Sequence, residues 1–291
     1  MKYPSKHSPG TQSPKALGAS SLFGHDGDMQ NQENHNAIIS LERGIEILRV
    51  FHAEEAALGI HDLVRRTGLP KTTVARLAHT LVSLGYLGQT HYQGRYHLAD
   101  RVIDLGNAAL SNLSVCRIAA PVLQEVADRF NMSTALGIGD RADMIYLAYC
   151  RSRDTVTLRM RTGAIIPMYP SAMGRAWLWA VDPERRAHHL RCIEETGADM
   201  TDVSQRIAAA FEQIEEAGCC TSLGDWRTDM YSAAVPMVID NGNTVLALNC
   251  GASRHGLNAS TFHSEIGPAL KKAAGEISNM IGQLGLNFWD E

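Results

Sequence analysis

The sequence of 291 residues lacks an apolar run long enough to span a membrane. Residues 176–181 are apolar, but Arg175 and Asp182 flank them, whereas a membrane-spanning helix needs about 20 apolar residues. Residues 1–39 are polar and rich in Ser, Gly, Pro and Asn, and they lack the apolar segment of a signal peptide. We therefore expect a cytoplasmic protein with no membrane partner.

The six cysteines contain no Cys-x-x-Cys pair and no regular spacing, and disulfide frameworks are typical of small secreted chains. We therefore expect reduced thiols. The adjacent pairs Cys219-Cys220 and His188-His189 are poor candidates for a redox or metal site, because neighbouring side chains on a strand or a helix do not share a face. No Ser/His/Asp or metal-ligand set occurs at usable spacing, so we predict no catalytic residue, no metal, no cofactor and no enzymatic activity.

Acidic residues outnumber basic ones, which by itself disfavours a nucleic-acid partner. The net charge of −4 is, however, unevenly distributed. Residues 40–98 contain seven Lys and Arg against five Asp and Glu, whereas residues 99–291 contain 17 against 23. The basic excess therefore falls on one segment, which we interpret as a surface that meets a polyanion.

Residues 59–84 predict a helix-turn-helix. Ile60, Leu63 and Val64 share one face of a short helix. Gly68 suits the end of that helix, and Pro70 suits the first turn of the next one. Apolar residues at i, i+3, i+7 and i+10 of the second helix predict a buried stripe of Val74, Leu77, Leu81 and Leu84. The outer face of this helix carries the cationic and hydroxyl side chains that we predict to bind DNA: Lys71, Thr72, Thr73, Arg76 and Thr80.

A β-hairpin is predicted directly after these helices, which is the arrangement of a winged helix-turn-helix. Residues 85–90 and 96–98 have the pattern of two strands, and Gly94 lies in the turn, where positive φ is wanted. Arg95 is positioned to contact a phosphate or a minor groove, so we include it among the DNA-binding residues. The alternative is a small helical domain with solvated Lys and Arg, but it does not explain why helix, turn, helix and hairpin occur together.

The segments around this motif predict three further features of the N-terminal half. Residues 1–37 lack the apolar content needed for folding and are predicted to be a disordered tail. A first helix, with Ser40 as its N-cap, is expected to bury Leu41, Ile45 and Leu48. We assign residues 38–99 to the winged helix-turn-helix domain and residues 100–115 to a linker helix, whose wide apolar face suggests a dimer contact.

Residues 116–286 predict a second domain of the α+β class, with an antiparallel sheet and helices at its ends. Strands are predicted at residues 133–139, 144–150, 155–160, 231–239 and 244–249. Asp240-Asn241-Gly242-Asn243 is a strong hairpin signal between the last two strands. Helices are predicted at residues 118–130, from Asp182-Pro183 to about Glu195, at residues 201–217 and at residues 260–284.

Two sets of motifs resemble the IclR family of transcriptional regulators. The first set is similar to the family's N-terminal domain: Gly68-Leu69-Pro70-Lys71-Thr72-Thr73-Val74-x-Arg76-Leu77, then Gly85-Tyr86 and Tyr96-x-Leu98. The second set is similar to its C-terminal signature: Met168-Tyr169-Pro170-Ser171-Ala172-Met173-Gly174-Arg175-Ala176-x-Leu178, then residues 218–237 ending Ala233-Ala234-Val235-Pro236. Arg175 stands where the family usually has Lys, and Asp225 where it usually has Glu.

This resemblance implies a winged helix-turn-helix joined to a GAF-like effector-binding domain, assembled as homodimers or homotetramers on palindromic double-stranded DNA operators. It implies sequence-specific transcriptional regulation in which a small-molecule effector modulates operator binding. The implied effector pocket lies between the sheet and the two signature segments and is formed by Leu158, Met168, Ser171, Ala172, Met173, Ser222, Asp225, Trp226, Ser232, Asn249 and Gly251. For Met168 and Met173, a plain core role is the alternative.

We expect the effector to be a small organic or aromatic acid. A helix that begins near Met173 directs its free N–H groups and positive dipole end at the pocket, which favours a carboxylate. Asp225 opposes a bound anion, so it is expected to point away, to pair with an Arg such as Arg161, or to bind a hydroxyl. The alternative effector is neutral or cationic and is held by Asp225 itself. The competing protein class is a stand-alone ligand-binding or catalytic domain whose helix-turn-helix contacts protein.

Overall fold

The computed structural model of the chain describes residues 38–51, 55, 57–90, 94–111, 113–153, 160–286 and 288. Its helices are α1 (Ile39–Arg49), α2 (Ile60–Thr67), α3 (Lys71–Ser83), α4 (Asp100–Ser111), α5 (Ser114–Phe130), α6 (Ala172–Ala180), α7 (Pro183–Glu195), α8 (Met200–Ala217), α9 (Ala259–Thr261) and α10 (Gly267–Leu284), with a π-helical turn (Phe262–Ile266) between the last two. Its strands are β1 (Leu87–Gln89), β2 (Tyr96–Leu98), β3 (Ser133–Asp140), β4 (Asp143–Arg151), β5 (Ile165–Pro167), β6 (Cys220–Leu223), β7 (Met230–Ile239) and β8 (Thr244–Ser253). The predicted tail, residues 1–37, lies outside the described residues, and none of the described helices has the length and apolarity needed to cross a membrane.

Helices α1 to α3 and the hairpin of β1 and β2 form the predicted winged helix-turn-helix. Helix α2 ends at Gly68 in the left-handed conformation, with a φ of 67°, and α3 begins directly after Pro70. Leu58 bridges to Tyr96 of β2 through two backbone hydrogen bonds of 2.8 Å, which fasten the start of β2 to the segment before α2. The fully or almost fully buried core of this part comprises Ile47, Leu58, Leu63, Val74, Ala78 and Leu87.

The prediction for α1 was wrong in its cap and in its buried face. Ile38 rather than Ser40 is the N-cap residue, and Leu41 is 61% exposed. Ile45 is also exposed, and the buried residues of the helix are Gly44 and Ile47. Helix α1 carries apolar residues on two faces, and only the face that packs on α2 and α3 is covered.

The stripe predicted for α3 was only partly correct. Val74 is buried as expected, but its companion in the core is Ala78, four residues further along. Leu77 and Leu81 are half-buried, and Leu84, just after the helix, is 52% exposed. A small residue therefore occupies the centre of the packed face, and the larger leucines lie toward its edge.

The remainder of the chain contains a six-stranded antiparallel sheet with the strand order β5-β4-β3-β8-β7-β6. Strands β7 and β8 are joined at the predicted hairpin, where Asp240 and Gly242 have positive φ. Of the strand predicted at residues 155–160, only Met160 is described, and it is not in a strand. The short edge strand β5 was not predicted, because three residues do not give a recognisable alternation.

Helices cover both faces of this sheet, as expected for an α+β fold. Helices α5 and α10 pack on one face, in a core that includes Leu136, Leu248 and Ile277. Helices α6, α7 and α8 pack on the other face, in a core centred on Trp177. Adjacent residues of β3 enter different cores, because strand side chains alternate between faces.

Helix α6 lies very close to the sheet because two glycines of β3 leave room for it. A Cβ atom at Gly137 would overlap the Met173 side chain, and a Cβ atom at Gly139 would overlap the Trp177 ring. The Trp177 indole Nε1 donates a hydrogen bond of 2.7 Å to the carbonyl of Val245. These contacts hold the N-terminus of α6 against the sheet face.

Candidate DNA-binding surface and ligand cavity

The outer face of α3 presents the side chains that the sequence indicated for DNA binding. Lys71, Thr72, Arg76 and Thr80 are exposed, and Thr73 is half-buried. In the part of the chain that the structure describes, neither Lys71 nor Arg76 is paired with a carboxylate. The Thr80 hydroxyl donates to the carbonyl of Arg76 at 3.0 Å, so its proton is engaged within the helix. Two cations near the start of a helix that is buried only on its inner face can reach base edges and phosphates in a major groove.

Arg95 lies directly before β2, in the segment that joins the two strands of the wing, and an acidic side chain lies close to it. Its guanidinium is 3.8 Å from Asp62 of α2, and Arg65 is 3.0 Å from the same side chain. Asp62 also accepts a hydrogen bond of 3.0 Å from the Gly59 backbone N–H, and this bond, with the nearby arginines, lowers the pKa of its carboxyl. Arg95 is therefore exposed but partly neutralised, unlike Arg76. The wing tip was predicted at residues 91–95, and residues 91–93 of it lie outside the described residues.

A small cavity lies between the sheet and the N-terminus of α6. Its volume accessible to water is about 40 Å³, which corresponds to roughly three water molecules. None of the described side chains that line it carries a formal charge. They are Ser133, Thr134, Ala135, Tyr146, Tyr149, Met160, Ile166, Ser171, Ser222, Trp226, Met230, Ser232, Asn249 and Gly251.

The residues implied by the family resemblance divide into two groups in the structure. Six of them line the cavity: Ser171, Ser222, Trp226, Ser232, Asn249 and Gly251. Met168, Ala172 and Met173 are completely buried in the core beneath α6 and are not among the lining residues. Asp225 lies beside the cavity in the loop after β6, and Leu158 lies outside the described residues.

Most hydroxyl groups of the cavity have already donated their proton to the backbone. Ser171 Oγ donates to the carbonyl of Met168 at 3.1 Å and accepts the N–H of Gly174, so that it caps α6. Ser222 Oγ donates to the carbonyl of Pro170 at 2.9 Å. Ser133 and Thr134 likewise donate to carbonyl oxygens at 2.9 Å. A hydroxyl has one proton, so these groups can accept a hydrogen bond from a ligand but cannot donate one.

Asp225 is held between two arginines rather than facing the cavity. Its carboxylate lies 2.7 Å from Arg175 and 2.7 Å from Arg206 of α8. Arg175 is only 4% exposed, and it also donates to the carbonyls of Ser171 and Thr221. The sequence expectation of an arginine partner was correct in kind, but the partners are Arg175 and Arg206, not Arg161. This network ties the start of α6, β6 and α8 together.

Tyr146 of β4 and Asn249 of β8 form a hydrogen-bonded polar pair in the cavity wall. The Asn249 Nδ2 donates to the Tyr146 hydroxyl at 3.5 Å. Burial raises the pKa of Tyr146 to about 12, so its hydroxyl keeps its proton at neutral pH. The sequence analysis missed Tyr146. It also missed seven other lining residues: Ser133, Thr134, Ala135, Tyr149, Met160, Ile166 and Met230. Strand register is the signal that locates them, because Ala135 of β3 pairs with both Asn249 and Tyr149.

Comparison with known proteins agrees with this architecture. The family model for the IclR helix-turn-helix domain matches residues 40–91, and the model for the bacterial transcriptional regulator IclR C-terminal part matches residues 107–279. The chain is 32% identical over 254 residues to the HTH-type transcriptional regulator TsaQ1/TsaQ2 of Comamonas testosteroni. That match covers 85% of this chain and 90% of the relative.

Solved structures show the same fold. The crystal structure of an IclR family transcriptional regulator from Brucella abortus has a TM-score of 0.79 and 36% identity, covering 86% of this chain and 94% of that one. An IclR homolog from Microbacterium hydrocarbonoxydans, complexed with 4-hydroxybenzoate, has a TM-score of 0.65 and 21% identity, covering 84% and 99%. These matches identify a DNA-binding regulator rather than an enzyme. The chain belongs to the IclR family of bacterial transcriptional regulators.

Proposed function

We propose that this regulator binds its operator through α3 and the wing, and that a small organic or aromatic acid in the cavity modulates this binding. The observation that carries the proposal is that one chain contains two sites of different polarity. One is an exposed helix face with two cations that have no carboxylate partner among the described residues, and the other is a cavity whose described lining side chains carry no formal charge. In this proposal residues 38–99 bind DNA, residues 100–115 link the two parts, and residues 116–286 bind the effector.

The DNA contacts that we propose involve Lys71, Thr72, Thr73, Arg76 and Thr80 in the major groove and Arg95 on the backbone or minor groove. Arg76 lies on the outer face of α3 and has no carboxylate partner among the described residues, which suits a bidentate contact with a guanine. Arg95 is held near Asp62, which suits a less specific phosphate contact. The two arginines would then have different roles, one in specificity and one in general affinity.

We further propose that the active form is a homodimer or homotetramer on a palindromic operator. Apolar side chains are exposed together on α1, at the end of α3 and on α4, including Leu41, Ile45, Leu84, Ile103 and Leu105. Exposed apolar surface of this kind is typical of an interface, and a second copy would supply the second DNA-reading helix for a symmetric site. Light scattering of the wild type and of Leu41→Glu tests this: a wild-type protein that is monomeric at all concentrations and still binds the operator fully would contradict the proposal.

The acid proposal is supported by the surroundings of Asp225 and of α6. Arg175 and Arg206 compensate the Asp225 carboxylate, so it does not oppose an anion in the cavity. Ser171 places the positive end of α6 at the cavity wall. The relative from Microbacterium hydrocarbonoxydans was crystallised with an acid, 4-hydroxybenzoate. An acid with an aromatic ring needs a larger volume than the 40 Å³ of the cavity. Met160, Met230 and Trp226 would therefore have to move outward when it binds. We propose that this movement is transmitted to the DNA-binding part.

A competition binding assay on the DNA upstream of the protein's own gene tests the regulator proposal. We expect binding to this DNA to resist random competitor, and candidate acids to change the measured affinity. Calorimetry with matched acids and their amides then tests the class of effector. Amides that bind as tightly as the acids would contradict a carboxylate effector, and binding that random DNA fully abolishes would contradict a specific operator.

A further inference from the structure

We propose that Tyr146 and Asn249 form a hydroxyl-reading pair, so that the effector carries a hydroxyl group that both residues bind. The proposal rests on the proposed function of the cavity as the effector site and adds a requirement to it: the acid is hydroxylated. It also assigns a specificity role to Tyr146, which no sequence motif indicated.

The carbonyl oxygen of Asn249 is the first observation. Among the described residues, Asn249 Oδ1 is buried and has no hydrogen-bond partner, and the side chain lines the cavity. A buried acceptor without a donor is costly, and native proteins satisfy almost all such atoms. A ligand that offers a donor at this point would satisfy the atom.

Tyr146 supplies the complementary group. Its oxygen accepts the long hydrogen bond from Asn249 Nδ2, which leaves its own proton available to a ligand. Because burial keeps the phenol protonated, the proton remains available across the physiological range. A ligand group that accepts from Tyr146 and donates to Asn249 must do both at once, and a hydroxyl does this. A hydroxyl would also satisfy the pair if the Asn249 amide were turned over, since it can donate or accept at either end.

A carboxylate is a poor fit at this end of the cavity. It has no proton to give to Asn249 Oδ1, and none of the described residues that line the cavity is a cation that could compensate its charge beside that oxygen. An apolar group would leave both polar side chains unsatisfied. The hydroxyl is therefore the group that complements the pair.

The sheet places the other functional group of the ligand at the opposite end. Tyr146 and Asn249 lie on β4 and β8, with only Ala135 and Gly137 of β3 between them. Ser222 lies across the sheet on β6, adjacent to Ser232 of β7 and to the capped start of α6. Since Ser222 and Ser171 have donated their protons, the donors at that end are the Ser232 hydroxyl, the Trp226 indole and the N-terminus of α6. A carboxylate at that end and a hydroxyl at the tyrosine end describe one elongated hydroxy acid.

Isothermal calorimetry on the full chain with seven probes in two sets tests the hydroxyl requirement and the carboxylate requirement separately. The probes are 4-hydroxybenzoate, benzoate, 4-hydroxybenzamide and benzamide, with lactate, propanoate and lactamide as a smaller aliphatic set. Comparing each hydroxylated probe with its deoxy partner tests the hydroxyl, and comparing each acid with its amide tests the carboxylate. We expect the hydroxylated acid to bind at least tenfold more tightly than its deoxy partner in one set, which is about 1.4 kcal/mol.

Three variants then test whether the preference for the hydroxylated acid depends on Tyr146 and Asn249. Tyr146→Phe and Asn249→Leu should each reduce this preference for the hydroxylated acid to less than about threefold. A merely structural defect would weaken all probes alike and preserve the ratio of the two affinities, so that ratio is the distinguishing readout. Tyr231→Phe is the matched control, because Tyr231 lies on β7, contacts Phe262 in the opposite core and does not line the cavity. It should keep the full preference.

The outcomes distinguish the failure of this inference from the failure of the proposed function. Hydroxylated and deoxy acids that bind equally would overturn the hydroxyl-reading pair and leave the acid effector standing. Hydroxylated amides that bind as well as the acids, with the preference lost in Tyr146→Phe, would uphold the pair and contradict the acid. A preference that survives in both Tyr146→Phe and Asn249→Leu would overturn the assignment to these residues. No binding of any probe in either set would count against both proposals.

Discussion

Lys71 and Arg76 on α3 are exposed and have no carboxylate partner among the described residues, whereas Arg175 beside the cavity is 4% exposed and makes three hydrogen-bonding contacts. The two regions therefore use the same side-chain chemistry in opposite ways. On α3 the charge is left for an external partner, at no cost of desolvation. Beside the cavity the Arg175 guanidinium contacts groups of the protein itself, and these contacts join α6 to β6 and α8.

This difference explains why a substitution should have different consequences in the two regions. A cation that contacts only solvent contributes little to folding, so its removal should affect binding and not stability. A buried cation holds other groups in place, so its removal takes a hydrogen-bond donor from two carbonyls and a carboxylate. The comparison can be tested by measuring stability and DNA binding on the same variants.

The largest effect is expected for Arg175→Met. This variant removes one of the two arginine partners of Asp225 and a side-chain donor to two carbonyls. Breaking a buried pair typically costs about 3–5 kcal/mol of unfolding free energy, which is the upper limit here because Arg206 still contacts Asp225. Urea unfolding measures the loss. Arg206→Met is the matched control, since Arg206 is one-third exposed and its other partner, Asp202, lies on the same helix, so the expected loss is smaller. Equal stability of Arg175→Met and the wild type would show that the network does not support the fold.

The second effect concerns the pH dependence of the cavity wall. Burial raises the pKa of Tyr146 from 10.0 to about 12. The folded state then keeps a proton that the unfolded chain releases, so this contribution to stability is complete below about pH 10 and is lost as the pH rises toward 12. We expect Tyr146→Phe to lose less stability than the wild type over this range, by a difference on the order of 2 kcal/mol.

Urea unfolding at steps from pH 9 to pH 12 measures this difference. Burial also raises the pKa values of Cys220 and Cys250 to about 12, but these thiols are present in both proteins and cancel in the comparison. Tyr231→Phe controls for removal of a tyrosine elsewhere. Parallel curves for the wild type and Tyr146→Phe would mean that Tyr146 titrates at its ordinary value.

How much was predictable from sequence also differs between the two regions. The turn of the helix-turn-helix depends on Gly68 and Pro70, whose backbone preferences act locally, so both helices were predicted close to their true bounds. The buried face of α1 was not predicted, because apolar residues occur on both faces and the neighbouring helix decides which is covered. The motif residues Met168 and Met173 belong to the core that supports the cavity, while Tyr146 reaches the wall only through strand pairing across β3. Local preferences therefore located α3, whereas the pairing register of distant strands determined which residues line the cavity.

The third effect is expected for Arg76→Ala. If Arg76 reads a guanine, its loss should cost about 1–3 kcal/mol of operator binding and relax the preference at that base pair. Stability should change little, since the side chain is exposed. Arg65→Ala is a suitable control, because Arg65 is exposed on α2 and paired with Asp62. Electrophoretic mobility shifts on the operator, on single-base variants and on random DNA provide the measurement. A variant that discriminates operator from random DNA as the wild type does would remove Arg76 from the reading surface.

The smallest effect is expected for Arg95→Ala. Arg95 is intermediate between the cations of α3, which have no carboxylate partner among the described residues, and the buried Arg175. Arg95 is exposed like Arg76, but Asp62 at 3.8 Å competes with DNA for its charge. Its loss should therefore weaken binding to operator and random DNA by similar factors and reduce the salt slope by about 1.

Asp62→Asn is the complementary variant, because its amide oxygen can still accept the Gly59 N–H but carries no negative charge. Binding to all DNA sequences should therefore strengthen at low salt. Affinities measured from low to high salt on both DNAs distinguish these results. A loss confined to the operator would make Arg95 a base-reading residue, and an unchanged slope in Asp62→Asn would mean that Asp62 does not withhold Arg95 from DNA.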